Sequence, residues 1–144
     1  MNRISVILQR RSPVVHTLSP DATVSEAVSL MAEEHVGIVP VVERWRLVGV
    51  FSERDLLRRV VAQNRSTETT TLREVMTPDP VTAVPEEDRS LAISKMGAAG
   101  CRHLPIMSGP HVIDMFSMRE LLADEVEDRG TEIGELRRYI HGGY

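Results

Sequence analysis

Two four-residue turns carry the groups best suited to chemistry: Ser52-Glu53-Arg54-Asp55 and Ser117-Met118-Arg119-Glu120. Each sets a hydroxyl three residues before a carboxylate, with an arginine between them. At a helix start that spacing supports two uses. The serine oxygen and the acid can each accept from the other's backbone N–H, closing a capping box. The same helix end also presents unpaired N–H groups and a partial positive charge, which suit a phosphate. The serine hydroxyl would then add a donor, and Arg54 would add charge for a polyphosphate. The Ser-x-x-Glu form at Ser117 is the better capping box.

Other reactive residues offer less. Cys101 and His103 are neighbours, but a catalytic pair is spatial rather than sequential, and nothing suggests a third member. A zinc site needs about four ligands. His16, His35, His111 and His141 lack the H-E-x-x-H spacing of a metal helix. The sequence therefore predicts no catalytic residue and no metal site.

The elements that must hold the two turns come from an internal repeat. Adding 65 to the residue number lays Ser25, Ala27, Ser29 and Met31 on Ser90, Ala92, Ser94 and Met96. The same offset lays Pro40 on Pro105, Phe51-Ser52 on Phe116-Ser117, and Leu56-Leu57 on Leu121-Leu122. It also sets Asp114 where the first copy has Gly49. Each copy reads as strand, helix, strand, strand, helix. In the first, Val14 to Leu18 is a short strand. Thr23 and Glu26 form a capping box, and Val24, Ala27, Val28 and Met31 recur at helical spacing to about His35. Ile38–Val42 and Leu47–Phe51 are strands, with Pro40 marking an edge or a bulge. Thr71 and Glu74 cap a short helix that stops before Pro78. Gly97 and Gly100 predict an early end to the first helix of the second copy. The segments are an N-terminal helix or arm 1–12, repeat 13–63, linker and short helix 64–79, repeat 80–128, and a terminal helix or tail 129–144. Apolar stripes at Ile4, Ile7 and Leu8, and at Ile133, Leu136 and Ile140, have no place within one unit. They are expected across the repeats or across a subunit boundary, partly at a homodimer interface, and Trp45 at a hairpin tip is a candidate subunit contact.

Composition narrows the function classes. The 144 residues are 42% hydrophobic and 26% charged, ordinary for a globular chain. A formal charge of −4 argues against charge-driven nucleic-acid binding. One cysteine excludes an intrachain disulfide framework. The run Ile4 to Leu8 is shorter than the ~7–15 residues of a signal-peptide core, and no stretch nears the ~18 apolar residues of a membrane span. The expectation is a cytoplasmic protein acting on neither nucleic acid nor membrane.

The order T-V-x-E-A-V-x-x-M, G-I-V-P-V-V, then L-V-G-V-F-S-E-R-D-L-L spans Thr23 to Leu57. The second copy has M-T-P-D-P-V from Met76, R-H-L-P-I from Arg102 and F-S-M-R-E-L-L from Phe116. This resembles the cystathionine-β-synthase-type (CBS) domain in tandem. The stretch from Glu135 to Gly142 resembles the tail of stand-alone bacterial two-repeat proteins called inosine-monophosphate-dehydrogenase-related. The resemblance implies an α/β (α+β) fold: two β-α-β-β-α repeats packed with pseudo-twofold symmetry, with extra terminal helices. It implies a regulator that is not an enzyme and that binds an adenosine-containing ligand (AMP, ADP, ATP, NAD or S-adenosylmethionine) between the repeats. That ligand is regulatory; no other cofactor is implied. A homodimer, read by some effector protein, is the implied assembly.

On this reading Thr17, Ile38, Val39 and Pro40 surround the adenine, while Ser52, Arg54 and Asp55 hold phosphate and ribose. A second, weaker site gathers Thr82, Arg102, His103, Pro105, Ser117, Arg119 and Glu120. It is weaker because the longer Glu120 misplaces a bidentate ribose contact, which leaves that turn more cap than site. The alternative is a non-catalytic dimerisation scaffold in which both turns are only caps. An enzyme using Cys101 is a third reading.

Overall fold

The computed structural model describes residues 2–11, 13–127 and 130. Helix α1 (Ile4–Leu8) opens the chain. The first repeat has helix α2 (Val24–Glu34), strands β1 (Ile38–Glu43) and β2 (Arg46–Ser52), and helix α3. Helix α3 begins as an α-turn, Glu53–Asp55, and continues as a π-helix, Leu56–Val61. The linker forms helix α4 (Leu72–Val75) and the two-residue strand β3 (Thr77–Pro78). The second repeat has helix α5 (Arg89–Ala99) and strands β4 (His103–Ser108) and β5 (His111–Ser117). Helix α6 follows over residues 118–127. This is a mixed α+β fold with two small antiparallel sheets, ordered β1-β2-β3 and β4-β5. The sheets adjoin along β2 and β5.

The repeat shows in the helix ends and the hairpin registers but not at the start of each copy's first helix, where Asp88, in the place of Thr23, makes no side-chain cap bond. In the Thr23 capping box, Glu26 N–H donates to Thr23 Oγ1 at 3.2 Å and Thr23 N–H to Glu26 Oε2 at 3.3 Å. His35 ends α2 with a left-handed φ of 54°, and the matching Gly100 ends α5 with φ 70°. Gly97 sits inside α5, so that helix runs on past the expected early end; only Gly100 stops it. Both hairpins carry a register shift at matched places, Val41/Val42 and Ile106/Met107. Phe51 and Phe116, each fully buried, anchor separate cores.

The strand expected from Val14 to Leu18 shrinks to one parallel bridge, Leu18 to Val41. Leu18 N–H donates to the Pro40 carbonyl at 3.1 Å and Val42 N–H to the Leu18 carbonyl at 2.8 Å. The next rung would need an N–H on Pro40, which has none. Pro105 stops the second copy the same way, beside the bridge from Ala83 to Ile106.

The N-terminal stripe lies across the repeats, one of its two expected places: Ile4 is fully buried in the core of the second repeat, with Ile7 and Leu8 packed against it. Helix α4 does the same for the first repeat through Leu72 and Val75. The bonds correspond. Ile4 N–H donates to the Glu87 carbonyl and Ser5 N–H to Pro85, as Leu72 N–H does to Ala22 and Arg73 N–H to Pro20. Each leading helix thus serves the repeat that does not follow it. The stripe at Ile133–Ile140 lies outside the described residues. No helix among the described residues is long and apolar enough to cross a membrane.

Candidate functional site

A cleft of about 350 Å³ opens between the repeats. The first repeat supplies one wall, from residues 13–16, residues 35–38 and Pro40. The second repeat supplies the other, from His103, Asp114, Met115, Ser117 and Glu120. Arg11 enters from the N-terminal arm. The volume lies within the ~300–1,000 Å³ of small-molecule sites. Apolar surface comes from Val14, Val36, Ile38, Pro40 and Met115; charge is gathered at Arg11, Asp114 and Glu120.

Strand pairing decides which residues meet. Ile38 lies opposite Ser52 across the first hairpin, and His103 opposite Ser117 across the second. Yet the apolar wall of the first repeat opens toward the Ser117 turn. Ile38 and Pro40 therefore share this cleft with Ser117, Glu120 and His103, in a grouping that crosses the two expected sets. Val39 is 1% exposed, within the first core, and Pro105 is buried. Thr17, Arg102 and Arg119 are exposed, and Thr82 is half-buried beside the Ala83 bridge. None of these six is in the cleft lining. Arg54 turns away to donate to the Gly100 carbonyl at 3.2 Å.

At the first turn the carboxylate is enclosed. Asp55 is 6% exposed. Its Oδ2 accepts from Ser52 N–H and from Ser52 Oγ, each at 3.0 Å. Its Oδ1 accepts from Thr77 Oγ1 at 3.0 Å, with Arg59 Nε at 3.7 Å. Asp55 N–H closes the box on Ser52 Oγ at 3.2 Å. Gly49 permits this closure. A Cβ there would stand 2.7 Å from Met76 Sδ and 2.8 Å from the Thr77 carbonyl, so only glycine lets β3 cross.

The second turn is open. Ser117 N–H donates to Glu120 Oε1 at 3.1 Å and Glu120 N–H to Ser117 Oγ at 3.0 Å. Glu120 Oε2 faces Arg11 Nη1. Asp114, in the place of Gly49, is 2% exposed; its Oδ2 lies 3.0 Å from Arg11 Nε and its Oδ1 accepts from Arg11 Nη2 at 3.1 Å. The guanidinium also lies over the Phe116 ring, 4.7 Å from its centre. Burial raises the Asp114 pKa above the ordinary carboxyl value, and the Met115 N–H and Arg11 only partly oppose it. Burial pushes Glu120 upward too, but the bonds from Arg11 and the Ser117 N–H outweigh it and hold its pKa below the ordinary value. Burial lowers the His103 pKa, with Glu120 and Glu53 opposing.

Sequence reasoning does not reach Arg11, residues 13–16, residues 35–37 or Met115 in this cleft, and marks Asp114 only as a departure from glycine. One signal was present. Ile4, Ile7 and Leu8 share the spacing of Leu72, Val75 and Met76, which marks the arm as a second copy of the linker helix. Cys101 is half-buried, with its S–H toward the Met96 carbonyl at 3.8 Å. Burial pushes its thiol pKa up, unlike an activated nucleophile. Among the described residues no cluster of three or more His, Cys, Asp or Glu is placed to hold a metal.

The CBS domain family model matches the chain twice, over residues 8–62 and 72–126. The chain belongs to the CBS domain family. CBS domain pairs are known regulatory modules, and the two matches place one such pair here. The CBS domain-containing protein CBSX3, mitochondrial, of Arabidopsis thaliana is 33% identical over 129 residues, covering 86% of this chain. The match spans 63% of that protein's length. Among solved structures, a protein with CBS domains from Burkholderia ambifaria MC40-6 superposes with a TM-score of 0.82. It is 28% identical, over 88% of this chain and 96% of its own. The CBS domain pair of MJ0100, solved with 5′-methylthioadenosine and S-adenosyl-L-methionine, shares the fold at 19% identity. Its TM-score is 0.78, over 89% of this chain and 98% of its own.

Proposed function

We propose that this CBS pair is a non-catalytic sensor whose inter-repeat cleft binds an adenosine-containing ligand. The observation that carries the reading is the cleft itself: an apolar wall at Val14, Ile38 and Pro40 faces the Ser117–Glu120 turn across about 350 Å³. A flat purine suits the wall, and a carboxylate at a helix start suits a ribose diol. The complex of the MJ0100 pair with two adenosine compounds is consistent with it. The candidate site thus comprises Ile38, Pro40, His103, Ser117 and Glu120, with Arg11 and Asp114 added. Bound ligand would bridge the two repeats and change their packing, and an effector protein in the cytoplasm would read that change.

The scaffold reading fits the other turn. Asp55 has both oxygens engaged, so Ser52 and Asp55 act as a helix cap that also ties down the linker. We propose a homodimer as the working assembly, joined by a face other than the N-terminal stripe. Leu57 and Val61 on α3 are 62% and 56% exposed, and their repeat partners Leu122 and Val126 on α6 are 43% and 68% exposed. This doubled apolar pair matches itself under a twofold axis.

Calorimetry of the full chain against AMP, ADP, ATP, NAD and S-adenosylmethionine tests the sensor. Saturable binding of at least one supports it. No heat from any of them up to about 1 mM ligand would leave the scaffold.

A further inference from the structure

Resting on the adenosine reading above, we infer that the cleft prefers adenosine ligands with a neutral or cationic 5′ substituent, such as a thioether or sulfonium, over adenosine phosphates. Among the described residues that line it, Arg11 is the one arginine, and it is committed. Its guanidinium pairs with Asp114 at 3.0 Å and with Glu120, and covers Phe116. Drawing it toward a phosphate would strand Asp114, 2% exposed, as an unpaired buried carboxylate. Breaking a buried pair from one side is among the costliest electrostatic changes in a protein.

Three N–H groups at the helix start that could receive a phosphate are committed as well. Met118 N–H donates to the Arg102 carbonyl at 2.8 Å, and Glu120 N–H to Ser117 Oγ at 3.0 Å. Ser117 N–H donates to Glu120 Oε1 at 3.1 Å. Those N–H groups make a phosphate site only when they lack acceptors. The remaining basic groups of the lining are the imidazoles of His16, His35 and His103. His16 Nε2 is turned to Glu34 Oε2 at 3.1 Å, and burial favours the neutral form of His103. With neutral imidazoles, two carboxylates against one guanidinium leave the lining one charge negative. A triphosphate is repelled by that surplus, whereas a cation is attracted to it. The Glu120 side chain, 46% exposed, remains within reach of a ligand's hydroxyls or positive charge.

The test is calorimetry of the full chain at about pH 8, above the ordinary imidazole range, with 5′-methylthioadenosine, S-adenosylmethionine, AMP and ATP. The first two are expected to bind at least about tenfold more tightly than ATP. Asp114→Asn and Glu120→Gln each relieve Arg11 of one carboxylate. Each should raise the ratio of ATP to 5′-methylthioadenosine affinity by about threefold or more. The ratio is read so that a general loss of binding in a variant does not count. AMP or ATP binding to the wild-type chain as tightly as 5′-methylthioadenosine overturns the charge preference and leaves the adenosine reading standing. Absence of binding by all four probes overturns both.

Discussion

The turns at Ser52 and Ser117 occupy matched register positions, each opposite the first residue of its hairpin, yet one is sealed and the other open. The difference does not begin in the turns. It begins with the residue on the neighbouring strand and with the segment arriving from the other end of the chain. Gly49 admits β3, and β3 delivers Thr77 to Asp55. Asp114 leaves that track to a side chain instead, and the arm delivers Arg11 to Asp114 and Glu120. A backbone strand seals a carboxylate, while a single guanidinium leaves space beside it. The duplicated turns diverge in structure here through what packs on them, with the bonds between serine and acid kept in both.

Converting the first turn into the second should be the most damaging change. Gly49→Asp puts a Cβ 2.7 Å from Met76 Sδ and a carboxylate under β3, where Arg59 is already held by Asp55 and the Met76 carbonyl. Overpacking with an unpaired buried charge costs about 3–5 kcal/mol. Chemical denaturation should show that loss. A stability within about 1 kcal/mol of wild type would mean that β3 is not held closely over Gly49.

Removing each acid separates cap from site. Asp55→Ala strips acceptors from Ser52 N–H, Ser52 Oγ and Thr77 Oγ1, and hydrogen bonds to a charged group contribute about 1.5–3 kcal/mol each. Ser52 and Thr77 are half-buried, so water replaces part of this bonding; the expected loss is about 2–3 kcal/mol of stability, with ligand affinity unchanged in the folded chain. Glu120→Ala should cost about 1 kcal/mol or less, as a helix cap does. Its effect on adenosine affinity should be about tenfold or more. The opposite pattern, affinity lost at Asp55 and kept at Glu120, would return the site to the first turn.

Where the repeats agree, they predict assembly. Leu57 and Leu122 are exposed at equivalent places, so Leu57→Asp and Leu122→Asp should each weaken self-association by about tenfold and leave the monomer folded. Sedimentation equilibrium reads both. A weight-average mass unchanged by either would remove this face from the dimer.

Much of this was written locally. The Thr23–Glu26 box, the hairpins and the offset of 65 are short-range patterns, and the chain folds by them. What was not legible is which core an apolar stripe enters. Ile4, Ile7 and Leu8 show a helical face, but spacing carries no address, and the face fills the repeat that starts about eighty residues away. The pattern from Val14 to Leu18 reads as a strand, but only a bridge forms at Leu18, because the missing N–H of Pro40 acts on a neighbour rather than on its own strand. The cleft depends on pairs such as Arg11 and Asp114, 103 residues apart, which no local pattern announces.

The smallest expected effect lies in the pH dependence of the open turn. Burial raises the Asp114 pKa above its unfolded value, so the fold favours its protonated form. The stability it contributes is fully present below the unfolded value of about 3.9 and is lost as pH rises through the higher folded value. Glu120 runs the other way. Its folded pKa is lowered, so its contribution is present above the unfolded value of about 4.3 and is lost as pH falls through the folded value. The two slopes oppose each other across the carboxylate range. Asp114→Asn removes the first and keeps the shape of the side chain. The difference in Tm, variant minus wild type, should therefore increase by a few degrees between about pH 4 and pH 7. A difference that stays flat across that range would show that Arg11 fully compensates the buried charge. A difference that falls would mean that Asp114 is stabilised as the anion, contrary to the dominance of burial at this position.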